Sequence, residues 1–182
     1  MKFEQKVCEH IPGLTRYALA LCAEKSQAED LVQDCMERAL RKRHLWRPAS
    51  TLKPWLFRML YRIYLNQRSS ARARKESLVE NAGEDVAISS GHEAALDCRD
   101  AMSAIQRLPE EQRSALLLIV LENPSYREAA DILGVNAGTL RSRVSRARES
   151  VRKACAENVP DTGGSLTCER TTANGTILQR VK

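Results

Sequence analysis

The side chains best suited to recognition chemistry share one helix-length stretch. Thr139, Arg141, Ser142, Arg143, Ser145, Arg146 and Arg148 fill the polar positions of a segment whose Leu140, Val144, Ala147 and Val151 recur at helical spacing. A guanidinium can fork onto a guanine edge or pair with a phosphate, and small hydroxyls reach backbone oxygens at little steric cost. Arg127, just upstream, adds a phosphate ligand. A second set lies earlier in the chain: Trp46, Tyr61, Arg62, Asn66, Arg68, Arg72 and Arg74. Aromatic rings beside cations can stack on unpaired bases while the cations follow the phosphates. Packing explains Tyr61 and Tyr64 equally well at this stage, and Trp55 reads as core. The sequence has no Gly-rich phosphate loop with Lys, no His-Glu-x-x-His and no nucleophile elbow. The chain is therefore expected to bind and direct rather than to act as an enzyme, and no cofactor or metal is expected.

The elements that must hold the first set are two helices and a tight turn. Tyr126 to Leu133 forms a short helix that buries Ala129, Ala130 and Leu133. Ser125 with Glu128 makes a capping box at its start. Gly134 sits where the chain turns sharply, Val135 plugs the turn, and Asn136 caps the next helix. Two helices joined in this way, the second basic, describe a DNA-binding helix-turn-helix. The bland alternative is a helical hairpin with a solvated basic face. Turn, apolar stripe and basic face coincide in register, which favours DNA.

The chain has 182 residues, 43% apolar and 29% charged, with 29 Lys plus Arg against 23 Asp plus Glu. This is a soluble globular composition with a modest basic excess that suits a polyanionic partner. No apolar run approaches a membrane span and the N-terminus lacks a signal peptide's apolar core, so a cytoplasmic protein without membrane insertion is expected. The cysteines, at 8, 22, 35, 98, 155 and 168, form no Cys-x-x-Cys pair and read as free thiols, several of them core fillers. Zinc ligation is the weaker alternative, as is a redox role for Cys155 and Cys168. No strand alternation persists, so the fold is expected to be all-α.

In the first half, residues 3–23 read as helix with a break near Pro12-Gly13, and Leu14, Ala18, Leu21 and Cys22 face inward. Ser26 to Glu29 reads as a capping box opening a helix to about Arg43, with Leu31, Val32, Cys35, Met36, Ala39 and Leu40 as its apolar stripe. Asp30, Gln33, Asp34 and Glu37 then lie outward. A further helix, from about Lys53-Pro54 to about Arg74, buries Trp55, Leu56, Met59, Leu60 and Ile63. Residues 76–98 carry Glu76, Glu80, Glu84, Asp85, Glu93 and Asp97 with Gly and Ser, and read as an acidic linker. Leu96, Ala101, Met102 and Ile105 are expected to face inward from a helix that ends near Arg107. Leu116 to Leu121 is an apolar run whose period cannot separate helix from strand, and the Pro109-Glu110-Glu111 start favours helix. Beyond Ala156 the periodicity is lost, as in a flexible tail.

The order Ala28-Glu29-Asp30-Leu31-Val32-Gln33-Asp34, then Trp55-Leu56 opening a helix that ends in arginines, resembles region 2 of bacterial extracytoplasmic-function (ECF) sigma factors, group 4 of the primary-sigma family. Leu108-Pro109-Glu110-Glu111-Gln112-Arg113, Tyr126-Arg127-Glu128-Ala129-Ala130 and Gly138 to Val144 resemble region 4 of the same family. Where the family shows an Asn seven residues after that Trp, this chain has Arg62, with Asn66 one turn further on.

The resemblance implies two small helical domains joined by a flexible acidic linker. Residues 1–75 would form region 2, 76–92 the linker, 93–155 the region 4 helix-turn-helix, and 156–182 a tail. It implies core RNA polymerase and promoter DNA as partners, with an anti-sigma factor as regulator. Arg127, Thr139, Arg141, Ser142, Arg143, Ser145, Arg146 and Arg148 would serve the −35 element. Trp46, Tyr61, Arg62, Asn66, Arg68, Arg72 and Arg74 would serve the −10 element. Asp30, Gln33, Asp34 and Glu37 would dock on the polymerase's largest-subunit coiled coil, and the acidic linker would mimic nucleic acid in a polymerase channel. The competing reading is a stand-alone helix-turn-helix regulator. It accounts for the second half of the chain and leaves the first half unexplained.

Overall fold

The computed structural model describes residues 3–22, 24–46, 51–77 and 101–157, with the backbone alone for 71–77 and 157. The linker from 78 onward with Leu96 and Cys98, and the tail from 158 with Cys168, lie outside the described residues. So do the side chains of Arg72, Arg74 and Lys75. Every regular element among the described residues is helical. In order they are α1 (Phe3–Cys8), α2 (Ile11–Leu21), α3 (Lys25–Arg41), a 3₁₀ turn (Arg43–Leu45), α4 (Leu52–Ser77), α5 (101–106), α6 (Glu110–Glu122), α7 (Tyr126–Leu133) and α8 (Ala137–Glu157).

Local chemistry sets most of the boundaries. The break between α1 and α2 falls at Glu9–His10, so that Pro12 occupies the first turn of α2, where its missing N–H costs nothing. α3 starts one residue before Ser26, with Glu24 as its N-cap. The expected Ser26 capping box therefore does not form; Gln27 Nε2 instead donates to Glu24 Oε2 at 3.0 Å. Leu31, Val32, Cys35 and Ala39 are buried as expected, whereas Leu40 stands 42% exposed. In α5, Ala104 is buried while Met102, expected inside, is 40% exposed, so the inward stripe runs through Ala104 and Ile105. Trp55 and Met59 are only partly buried, packed at the edge of a core that takes Leu56, Leu60 and Ile63 whole.

The Ser125–Glu128 capping box is complete. Glu128 N donates to Ser125 Oγ at 3.2 Å and Ser125 N donates to Glu128 Oε2 at 3.0 Å. The Ser125 bonds hold the Glu128 carboxyl below the ordinary glutamate range. A carboxylate with a lowered native pKa contributes stability above its unfolded pKa and loses it as pH falls through the lowered value. Ser125→Ala is thus expected to cost about 1 kcal/mol at neutral pH. Urea melts should show that difference shrinking in acid.

The apolar run in the second half is helix, and the reason lies in its neighbours. From Arg113 to Ile119 every residue of α6 is buried, because α8 packs on one side while α2 and α7 pack elsewhere. A helix enclosed in this way shows little periodicity. The two halves of the chain thus meet along a seam of α2 and α4 against α6 and α7, and one continuous core crosses it.

Polar contacts fix the register of the seam. Tyr17 Oη donates to the Ser114 carbonyl at 3.1 Å, and Tyr61 Oη lies 3.3 Å from Ser114 Oγ. Arg58 Nε donates to the Asp131 carbonyl at 2.7 Å. Glu122, its side chain only 4% exposed, takes Arg16 and Lys53 at 2.9 Å each. A side chain at Gly13 would place its Cβ 2.9 Å from a Glu122 carboxylate oxygen, so glycine is needed there for close approach. A loose pair of modules is the expectation from sequence; the structure shows them closed on each other.

Candidate nucleic-acid interface

The helix-turn-helix forms as its residues require. α7 ends at Gly134, which adopts φ 69° and ψ 34°, a left-handed conformation favourable to glycine. Val135 N then donates to the Ala130 carbonyl at 3.0 Å. Asn136 Oδ1 accepts from Thr139 N at 2.7 Å, the N-cap bond that starts α8. Leu140, Val144 and Ala147 are buried against α6 and α7, with Val151 partly buried behind them. That packing sets which positions of α8 face away.

Arg141, Ser142, Ser145, Arg146 and Arg148 are exposed, as is Arg127 on α7, while Thr139 is half-buried at the helix start. The Ser142 hydroxyl donates to the Thr139 carbonyl at 2.9 Å, which leaves its lone pairs outward. Arg141 lies over the Tyr126 ring at 5.9 Å, a contact that steadies the guanidinium. Tyr126 is therefore a positioning residue absent from the sequence-based set; its place at the head of α7, across the turn from α8, is the only sequence signal for it. Arg143 departs from expectation. Its side chain is 20% exposed and pairs with Glu111 of α6, so it sits on the shoulder of α8 beside the seam rather than on the outward face.

The second set of candidates is divided between two surfaces. Arg62 and Asn66, one turn apart, are exposed on α4. Tyr61 is 5% exposed and Tyr64 6%, both inside the seam, where burial raises their hydroxyl pKa values. Arg68 pairs with Glu110 and donates to Tyr64 Oη at 3.0 Å. Tyr61 and Arg68, expected at a DNA surface, are thus occupied by α6 in this closed arrangement. Trp46 follows the 3₁₀ turn and is half-buried, its ring centroid 5.5 Å from that of Phe3.

On α3, Asp30, Gln33 and Glu37 are exposed and Asp34 half-exposed, as expected of an outward polar face. Gln33 Nε2 donates to Glu37 Oε1 at 3.2 Å, and Gln67 Nε2 donates to Asp34 Oδ2 at 3.2 Å. Cys35 fills the core of this helix, its thiol pushed up to about 12 by burial.

Two family models match the chain. One, for region 4 of sigma-70, covers residues 98–151, and the other, for the sigma2 domain of PhyR, covers residues 7–61. The ECF RNA polymerase sigma factor EcfG of Rhodopseudomonas palustris is 33% identical over 141 residues, 78% of each chain. The ECF RNA polymerase sigma factor SigE of Mycolicibacterium smegmatis is 31% identical over 90% of this chain and 65% of its own length. Among solved structures, the sigma factor RpoE of Bartonella quintana, in complex with the anti-sigma factor NepR, superposes with a TM-score of 0.72 at 35% identity, over 86% of this chain and 98% of that one. The PhyR–NepR complex from Sphingomonas shares the fold, at a TM-score of 0.63 and 24% identity over 94% of this chain and all of that one.

Proposed function

The chain belongs to the ECF sigma factors of bacterial RNA polymerase, and on that premise we propose how its surfaces divide the work of initiation. A sigma factor directs the core enzyme to promoters; family members regulate through DNA and are not enzymes. In our reading, α8 enters the major groove of the −35 element, with Arg141, Ser142, Ser145 and Arg146 toward the bases and Arg127, Thr139 and Arg148 toward the phosphates. Trp46, Arg62 and Asn66 meet the separated strand of the −10 element, joined by Tyr61, Arg68, Arg72 and Arg74 once the seam parts. An anti-sigma protein of the kind bound to the Bartonella relative is the regulator we infer, and the cytoplasm, where promoter DNA lies, is the place of action.

The observation that carries this reading is the exposed basic face of α8 on a chain whose first half also carries the outward acidic face of α3. A stand-alone regulator needs only the former. The −35 and −10 elements lie about 25 base pairs apart, or about 85 Å at 3.4 Å per base pair. Two halves closed face to face do not span that distance. Residues 78–100 can reach at most about 80 Å when extended, so the seam opens when the chain mounts on polymerase, and Arg143 is then released from Glu111.

Run-off transcription with purified core polymerase tests the function: initiation at a defined site is expected, and its absence would leave the stand-alone regulator. Asp30→Lys with Glu37→Lys tests the docking face. Facing like charges costs several kcal/mol, so affinity for core polymerase should fall by at least about tenfold. Competition against the unaltered chain for limiting core enzyme reads that loss.

A further inference from the structure

α1 is a short helix whose side chains converge on one ring. The Phe3 centroid lies 5.5 Å from that of Trp46 and 6.4 Å from that of Trp55. Lys6 Nζ lies over the Trp46 ring, 5.6 Å from its centroid. Glu4 pairs with Arg43, the first residue of the 3₁₀ turn that delivers Trp46, at 3.5 Å. The Trp46 indole N–H is buried and meets no acceptor. Ring packing and one ammonium therefore hold this indole, without the hydrogen bond that usually fixes a buried tryptophan.

We propose that the Lys6-covered face of Trp46 is the seat of one unstacked base of the −10 element, with Phe3 as its back support and Lys6 as the ligand of that nucleotide's phosphate. This rests on Trp46 serving the −10 element. Base stacking on an aromatic ring contributes roughly five- to a hundredfold in affinity. A partly exposed ammonium over a ring contributes roughly two- to fivefold. The base therefore wins the face, and the displaced ammonium, on a flexible four-carbon stem, reaches the adjacent phosphate. Lys6 is the placeholder that keeps the ring covered until single-stranded DNA arrives. Phe3 touches no DNA and is a positioning residue.

The test uses holoenzyme and fork-junction DNA: a promoter chosen by run-off transcription, duplex at −35, with the −10 non-template strand as an overhang. Lys6→Ala should weaken fork binding about three- to tenfold. It should reduce the salt slope by about 0.7, the value for one phosphate on a single strand. Phe3→Leu, which keeps an apolar side chain for the fold, should weaken fork binding about threefold with the salt slope unchanged. Neither variant should alter binding of a −35 duplex that lacks the overhang. Trp46→Ala is the control for the premise: if it leaves fork binding unchanged, the −10 assignment of this turn fails. If Trp46→Ala weakens the fork complex while Lys6→Ala and Phe3→Leu do not, the seat proposed here is wrong.

Discussion

Replacing Arg141 and Arg146 together with alanine should weaken promoter binding by holoenzyme by about 2–6 kcal/mol, at about 1–3 kcal/mol for each arginine that reads a base. Among the described residues neither guanidinium is held in an ion pair, and Arg141 is steadied only by the Tyr126 ring. Both can therefore turn to DNA without breaking a charge pair. They project from opposite flanks of the stripe formed by Leu140, Val144 and Ala147, so their losses should be close to additive. Titrations at several salt concentrations separate the two roles. Base contacts would confine the loss to the cognate promoter, whereas phosphate contacts would lower affinity for every sequence and flatten the salt slope by about 0.9 per arginine. An unchanged affinity on all sequences would remove α8 from the groove.

Leu118→Ala should be the most damaging single truncation. The residue is fully buried on α6, and it faces α4 across a cleft also lined by Pro54, Phe57 and Ile132. A leucine removed from such a site leaves a cavity and costs about 2–5 kcal/mol. For a chain of this size that lowers the melting temperature by about 5–20 °C. Val120, two residues on and 62% exposed, gives the comparison: its alanine variant should stay within about 0.5 kcal/mol. Thermal melts of the two variants side by side decide the matter. Equal melting temperatures would mean that α6 is not enclosed in solution and that the halves do not meet.

What could be read without coordinates was the local part. Ser125, Gly134 and Asn136 act on backbone within three or four residues, so the geometry of the helix-turn-helix follows from residue types alone. The outward faces of α3 and α8 were likewise legible, because a strong apolar stripe on one side leaves little choice about the other. Ser26 misled because Ser-x-x-Glu is a local signal with a local competitor: Glu24, two residues earlier, takes the cap and draws Gln27 onto itself. Met102 misled because the described turns of α5 present two large apolar side chains one turn apart, and the sequence does not say which one meets the core.

The seam could not have been read at all. Tyr17 and Ser114, Arg58 and Asp131, and Arg143 and Glu111 are far apart in the chain, and nothing in the local pattern pairs them. For the same reason Tyr61 and Arg68 looked like part of a DNA surface. The signs of a buried use were present only in hindsight: a helix, α6, apolar on all sides, and a region 2 with more tyrosine hydroxyls than its own core could satisfy.

The carboxylate of Glu122 shows what kind of closure this is. Shut between Arg16 and Lys53, it gives up as much hydration as its two cations return, so it adds little grip. Its service is alignment, because only one angle between the halves brings both cations to it past the bare backbone of Gly13. A methionine in its place would clench more tightly and aim less well, and a transcription factor that has to let go on cue is better served by a hinge pin than by glue.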